Sequence, residues 1–252
     1  MKGKVKLVGA GPGDIELITV KGLKAVQNAD VILFDALVNQ ELLSEAKSNS
    51  ELIYVGKRSG AHSFTQEEIN LKIVQSALTH KNIVRLKGGD PFIFGRGHEE
   101  KEYLENFGIE VEIIPGLTSS TSLSSIQNVP LTRRGIAESF WVMTGTTSYD
   151  QLSEDVLLAV QSTATLVILM AIKKLPQIID LLVAQGKKDI PMMIIQNGSM
   201  KNEKVVISDA QNILQKAQDE KIGTPGIIVI GEVVALHPDY VISEFKKSWI
   251  HL

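Results

Sequence analysis

The chain has 252 residues, 44% of them apolar and 22% charged, with a formal net charge of −3 at pH 7 and no cysteine. Without cysteine there is no disulfide framework and no zinc–thiolate cluster, and the five histidines (His62, His80, His98, His237, His251) lack the i, i+4 spacing of a helical metal site. The longest apolar run, 166–172, is far short of the ~18 residues of a membrane helix. The N-terminus carries no signal-like apolar block, and the acidic balance argues against nonspecific nucleic-acid binding. A soluble cytoplasmic protein is expected, with no metal, membrane or nucleic-acid partner, and the length allows one large domain or two smaller ones.

In chain order, β-branched runs at 4–8, 31–34, 52–55, 83–86 and 111–114 read as strands. Between the third and fourth, residues 65–78 open with a capping box, Thr65 with Glu68, and carry Ile69, Ile73 and Ala77 on one helical face. A second helix is expected over 99–107, stopped by Gly108. This β/α alternation predicts a mainly parallel sheet flanked by helices. After Pro115-Gly116 a second set follows, with strands expected near 141–144, 165–170, 192–196, 205–207 and 226–230, and helices at 117–126, 152–161, 175–185 and 209–218. The expected architecture is therefore two α/β domains, 1–115 and 116–252, with a ligand cleft between them.

The first strand runs into Val8-Gly9-Ala10-Gly11-Pro12-Gly13-Asp14, three glycines in five residues at a strand exit. A dinucleotide fingerprint would place its third glycine where this chain has Asp14, and Pro12 removes a backbone donor that a phosphate cradle would use. A phosphate-free, nucleotide-like ligand and a merely tight turn both remain open at this point. The segment from Arg85 to Glu100, RLKGGDPFIFGRGHEE, leaves the fourth strand with four glycines and three cations and is poor core material. Basic pairs occur at Lys57-Arg58 and Arg133-Arg134. Individually such pairs read as solvated surface; converging with Arg85, Lys87 and Arg96 they would line a basic cleft suited to a polyanionic substrate. Nucleophile-elbow, zincin and Walker lysine motifs are absent. The hydroxyl-rich run 119–125 reads partly as helix capping and Met170 as core.

Seven segments carry a family resemblance: VGAGPGD from Val8, ADVILFDALV from Ala29, VGKR from Val55, QEEIN from Gln66, VRLKGGDPFIFGRG from Val84, IPGLTSS from Ile114 and VPLTRR from Val129. Together they resemble the uroporphyrinogen-III C-methyltransferases of the tetrapyrrole methylase family, over nearly the whole chain. The resemblance implies a homodimer that binds S-adenosylmethionine in the cleft between two α/β domains. The implied reaction methylates uroporphyrinogen III at carbons 2 and 7, giving precorrin-2 and S-adenosylhomocysteine for siroheme or cobalamin synthesis. By the same resemblance Pro12, Gly88, Gly89, Asp90, Ile93, Thr118, Ser119, Met170 and Gly198 hold the cofactor, Asp35 is the proton acceptor and Lys57 the proton donor. A polycarboxylate substrate would then meet Arg58, Arg96, Arg133 and Arg134. Ala36, His98, Arg133, Thr146 and the Leu169-Met170-Ala171 triplet depart from the family's usual residues. The resemblance begins at the first strand, so no fused dehydrogenase–ferrochelatase domain is expected. Alternative expectations are a methyltransferase for a later corrinoid precursor, a nicotinamide-dependent oxidoreductase using the glycine loop and Asp35, and a non-catalytic cofactor binder.

Overall fold

Five of the β-branched runs pair in parallel to form the first sheet: β1 (Lys4–Gly9), β2 (Val31–Phe34), β3 (Glu51–Tyr54), β4 (Asn82–Lys87) and β5 (Val111–Ile114), in the order β3-β2-β4-β1-β5. The computed structural model describes residues 2–56, 64–147 and 149–240. The chain divides into two compact units, Met1–Ser119 and Ser120–Leu252.

The first sheet is covered on both faces, the arrangement a parallel sheet requires. α2 (Gln66–Thr79) lays Ile69, Ile73, Val74 and Ala77 on Val5, Leu7, Val31, Leu33 and Ile83. Its capping box is present, with Thr65 and Glu68 each accepting from the other's backbone N–H. On the other face Val8, Ile32, Phe34, Val84 and Leu86 pack with Ala25 and Val26 of α1 (Val20–Gln27). The sequence reading did not anticipate α1, a helix of only eight residues that carries a helix-disfavouring glycine, Gly22, on its buried face with Ala25 and Val26. α3 (Gly97–Asn106) follows β4. Register fixes what comes next: Gly9 pairs with Lys87, Phe34 with Leu86 and Val8 with Ile114, so β1, β2, β4 and β5 all end at one edge.

The second unit holds α4 (Ser119–Ile126, beginning at the unit boundary), β6 (Phe140–Thr144), α5 (Glu154–Ala159), β7 (Thr165–Leu169), α6 (Leu175–Ala184), β8 (Pro191–Gln196), β9 (Lys204–Asp209), α7 (Ile213–Asp219) and β10 (Gly226–Ile230). Its sheet runs β6-β7-β10-β8-β9, and only β6 and β7 are parallel. Here the expectation of a mainly parallel sheet is corrected. The turn 197–203 joining β8 to β9 is too short for a crossover helix, so these strands must run antiparallel. The helix expected over 209–218 starts late because Asp209 ends β9 and its carboxylate accepts the Asn212 N–H instead. α5, α6 and α7 cover one face of this sheet with an apolar core, and Leu123 of α4 packs on the other with Val129, Val233 and Val234. No helix among the described residues is long and apolar enough to cross a membrane.

Candidate active site

Ligand contacts in an open parallel sheet fall on the loops at the strands' carboxyl ends. In the first unit those loops are stitched together by their own backbones. Gly11 N donates to Gly89 O at 3.3 Å, Gly89 N to Gly11 O at 2.8 Å, and Ala10 N to Lys87 O at 2.8 Å. A Cβ on Gly116, which follows β5, would sit 2.4 Å from Gly89 O and 2.7 Å from Gly9 Cα, so only glycine permits this approach. Gly89 is left-handed, φ +69°, and a Cβ there would meet nothing within 4 Å, so its outer side is open.

Asp90 pins the assembly. Its Oδ1 accepts the Phe92 N–H at 2.8 Å and its Oδ2 the Gly116 N–H at 3.1 Å, tying the exit of β4 to that of β5. On the first loop Pro12 is half-buried and Asn39 Nδ2 donates to Gly13 O at 2.9 Å. Asp14 accepts the Glu16 N–H at 2.9 Å and caps the 3₁₀ turn Ile15–Leu17, which accounts for a carboxylate on a glycine loop. Thr118 and Ser119 are half-buried and lead from Gly116 into α4. Ile93 is exposed, as are Leu37, Phe92, Phe94 and Leu117 on the same set of loops. Phe94 and Arg96 hold left-handed backbones, φ +53° and +58°, a strain that marks functional loops more often than scaffolding.

Asp35 stands at the exit of β2, with Oδ1 accepting the Leu37 N–H at 3.1 Å and Oδ2 accepting from Arg85 Nη2 at 3.2 Å. Arg85 also donates through Nε to Glu100 Oε1 at 3.3 Å and through Nη1 to Leu86 O at 2.8 Å. Lys87 Nζ reaches the same Glu100 oxygen at 2.9 Å, and Gln66 Nε2 does so at 3.2 Å. Burial pulls Lys87 below the usual lysine range, and the Arg85 charge adds to this against the opposing pull of Glu100.

The arginines and lysines expected to converge on a substrate therefore separate into groups. Arg85 and Lys87 are corrected: both are buried and held by Glu100, so they face the interior and not a polyanion. Arg96 is exposed and paired with Glu99 through Nε at 3.1 Å. Arg133 and Arg134 are exposed in a turn closed by Arg133 N–H to Ala137 O at 3.0 Å, and their side chains have no partner among the described residues. Lys57 and Arg58 lie outside the described residues. The chain before them reaches Gly56, where a Cβ would be 2.6 Å from Ala36 N, beside the exit of β2 that carries Asp35.

In the second unit Met170 and Gly198 sit at one edge of the sheet, after β7 and β8. Leu169 pairs with Ile227 and Gln196 with Gly226, so the start of β10 lies between them. Met170 is half exposed with φ +57°, not a core residue, and Thr146 Oγ1 donates to its carbonyl at 2.7 Å. Gly198 is buried on Leu123 of α4, where a Cβ would come 2.3 Å from Cδ1. The sequence reading missed Leu37, Glu100 and the role of Thr146. A signal for Glu100 existed: cations at i, i+2 on a central strand share one face and call for a buried anion.

These loops belong to an α/β protein, and in its first unit the candidate edge presents backbone amides, hydroxyls and exposed apolar side chains. The chain belongs to the Tetrapyrrole (Corrin/Porphyrin) Methylases, whose family profile matches residues 4–214. It is 49% identical over 236 residues to the uroporphyrinogen-III C-methyltransferase of Methanocaldococcus jannaschii, covering 93% of this chain and 98% of that one. Among solved structures, the Thermus thermophilus uroporphyrin-III C-methyltransferase complexed with S-adenosylhomocysteine matches at a TM-score of 0.79 and 34% identity, covering 93% of this chain and all of that one. A cobalt precorrin-4 methyltransferase matches at 0.82 and 26% identity, covering 92% of this chain and 95% of that one.

Proposed function

We propose that this protein is an S-adenosylmethionine-dependent C-methyltransferase that converts uroporphyrinogen III to precorrin-2 by methylation at carbons 2 and 7, for siroheme or cobalamin synthesis. The observation that carries the reading is 49% identity over 98% of an enzyme of that name. The cobalt precorrin-4 methyltransferase, with a TM-score of 0.82 against 0.79 for the Thermus thermophilus enzyme but only 26% identical, supplies the second reading of a later corrinoid substrate.

The residues present fit the cofactor. The open side of Gly89 admits a ligand close to the backbone, and the two cations of β4, Arg85 and Lys87, are already paired with Glu100. That donor set suits a cationic nucleoside without phosphates, since neither Arg85 nor Lys87 is offered to a pyrophosphate. Pro12, Gly88, Gly89, Asp90, Ile93, Thr118, Ser119, Met170 and Gly198 are the proposed holders. In this reading 1–115 carries the glycine loop and the proton-handling residues, and 116–252 supplies the remaining cofactor contacts.

When bound, S-adenosylmethionine supplies a methyl group whose C–S bond breaks with its electron pair left on sulfur as a C–C bond forms to a pyrrole carbon. The loops contribute alignment and exclusion of water, which for an electrophile and an electron-rich carbon is much of the acceleration. Asp35 accepts the proton the methylated macrocycle loses, and Lys57 donates one during its rearrangement. Arg58, Arg96, Arg133 and Arg134 meet the substrate's carboxylates. The working form is a cytoplasmic homodimer. Anaerobic incubation with both substrates should give a doubly methylated product with S-adenosylhomocysteine. Unchanged uroporphyrinogen III refutes the assignment, and turnover of a later corrinoid precursor in its place moves it to the second reading.

A further inference from the structure

We propose that Arg85 is a positioning residue for Asp35, anchored in turn by Glu100, so that a three-residue relay, buried at Arg85 and Glu100, aims the carboxylate that accepts the proton. The proposal rests on the reading of Asp35 as acceptor. Its geometry is specific. Side-chain exposure is 24% at Asp35, 4% at Arg85 and zero at Glu100, so the chain of contacts runs from a partly open surface into the core between α2 and α3. Arg85 donates to an acceptor in each of three directions, the Leu86 carbonyl, Glu100 and Asp35, and a planar guanidinium engaged in this way has no rotational freedom left. Asp35 is held at both ends, by Arg85 on Oδ2 and by the Leu37 N–H on Oδ1, which fixes the plane of the carboxylate.

The arrangement is poor as a device for stability alone. Glu100 receives Arg85, Lys87 and Gln66 on Oε1, while its Oε2 is buried with no hydrogen-bond partner among the described residues. A buried carboxylate oxygen left unmatched is costly, and apolar packing would fill the same space at less expense. Two buried cations share Glu100, and one of them, Arg85, also pairs with a second anion, Asp35. Arg85 thus links the buried cluster to the one member of the group that reaches solvent.

The test is a double-mutant cycle read in turnover and cofactor affinity. Arg85→Lys keeps the charge but loses the fork. It should lower kcat about tenfold or more, with KM for uroporphyrinogen III and calorimetric affinity for S-adenosylhomocysteine changing less than about twofold. In an Asp35→Asn background the same substitution should change the residual kcat less than about twofold, because there is nothing left to position. An equal loss of kcat in both backgrounds overturns the proposal, and so does full activity of Arg85→Lys beside an impaired Asp35→Asn. Wild-type turnover in Asp35→Asn alone shows that the acceptor reading has failed, and this proposal falls with it. If Arg85→Lys does not fold, the isosteric Glu100→Gln is put through the same cycle, with the same pattern expected and the same equal loss overturning the idea.

Discussion

The two units each build a five-stranded sheet, yet they position functional groups by different means. In the first, parallel strands end together, their glycine loops touch backbone to backbone, and carboxylates do the pinning: Asp90 across two loops and Glu100 beneath Arg85. In the second, a mixed sheet lies between two apolar cores, and among the described residues no ion pair has both partners buried. There three residues of the edge, Met170, Asn197 and Ser199, are at positive φ, and the carboxylate of Glu203, in the turn between β8 and β9, ties the Ser199 N–H to Gln127 Nε2. Parallel strands deliver several loops to one edge and leave polar groups to fix them. Hairpins deliver fewer loops and fix them by turn geometry over a packed base.

Glycine substitutions should separate the two designs most widely. Gly116→Ala pushes a Cβ into the Gly89 carbonyl and the Gly9 backbone, which cannot yield, and should cost about 3 kcal/mol in urea denaturation. Gly198→Ala meets mainly the terminal methyls of Leu123, which can rotate, and should cost about 1 kcal/mol. A reversed order would break the comparison. Next comes Asp90→Ala, which frees two backbone donors and unties β4 from β5. S-adenosylhomocysteine affinity should fall by roughly 2 kcal/mol in calorimetry, with Asp90→Asn recovering part of it by keeping one acceptor.

Smaller effects sharpen the picture. Met170→Gly relieves a left-handed residue and should stabilise the fold by about 0.5 kcal/mol after the entropy glycine loses, while weakening S-adenosylhomocysteine binding. A variant that is less stable and binds normally would mean the side chain serves packing. The last concerns Asp30, before β2, whose carboxylate the Asn82 N–H and then Lys47 hold below the usual aspartate range. Because its pKa is lower folded than unfolded, its contribution is complete above the unfolded value and is lost as pH falls through the folded one. Asp30→Asn should therefore lose about 1 kcal/mol at neutral pH. Thermal melts should show that gap closing below the ordinary carboxylate range, and a pH-independent gap would assign the effect to shape.

Short β-branched runs, the capping box at Thr65 and the glycine-rich strand exits were legible because each is a local preference of a few residues, written where it acts. By itself the sequence determined ten strands to within a residue or two, most helices, the loops that carry the candidate site, and the family those loops resemble. Strand direction in the second unit, the partnership of Asp90 with Gly116, and the burial of Arg85 and Lys87 on Glu100 were decided only by the tertiary structure. Each joins residues from different elements, and although two cations at i, i+2 on a central strand call for a buried anion, which carboxylate answers is settled only when the sheet and its helices are assembled around them.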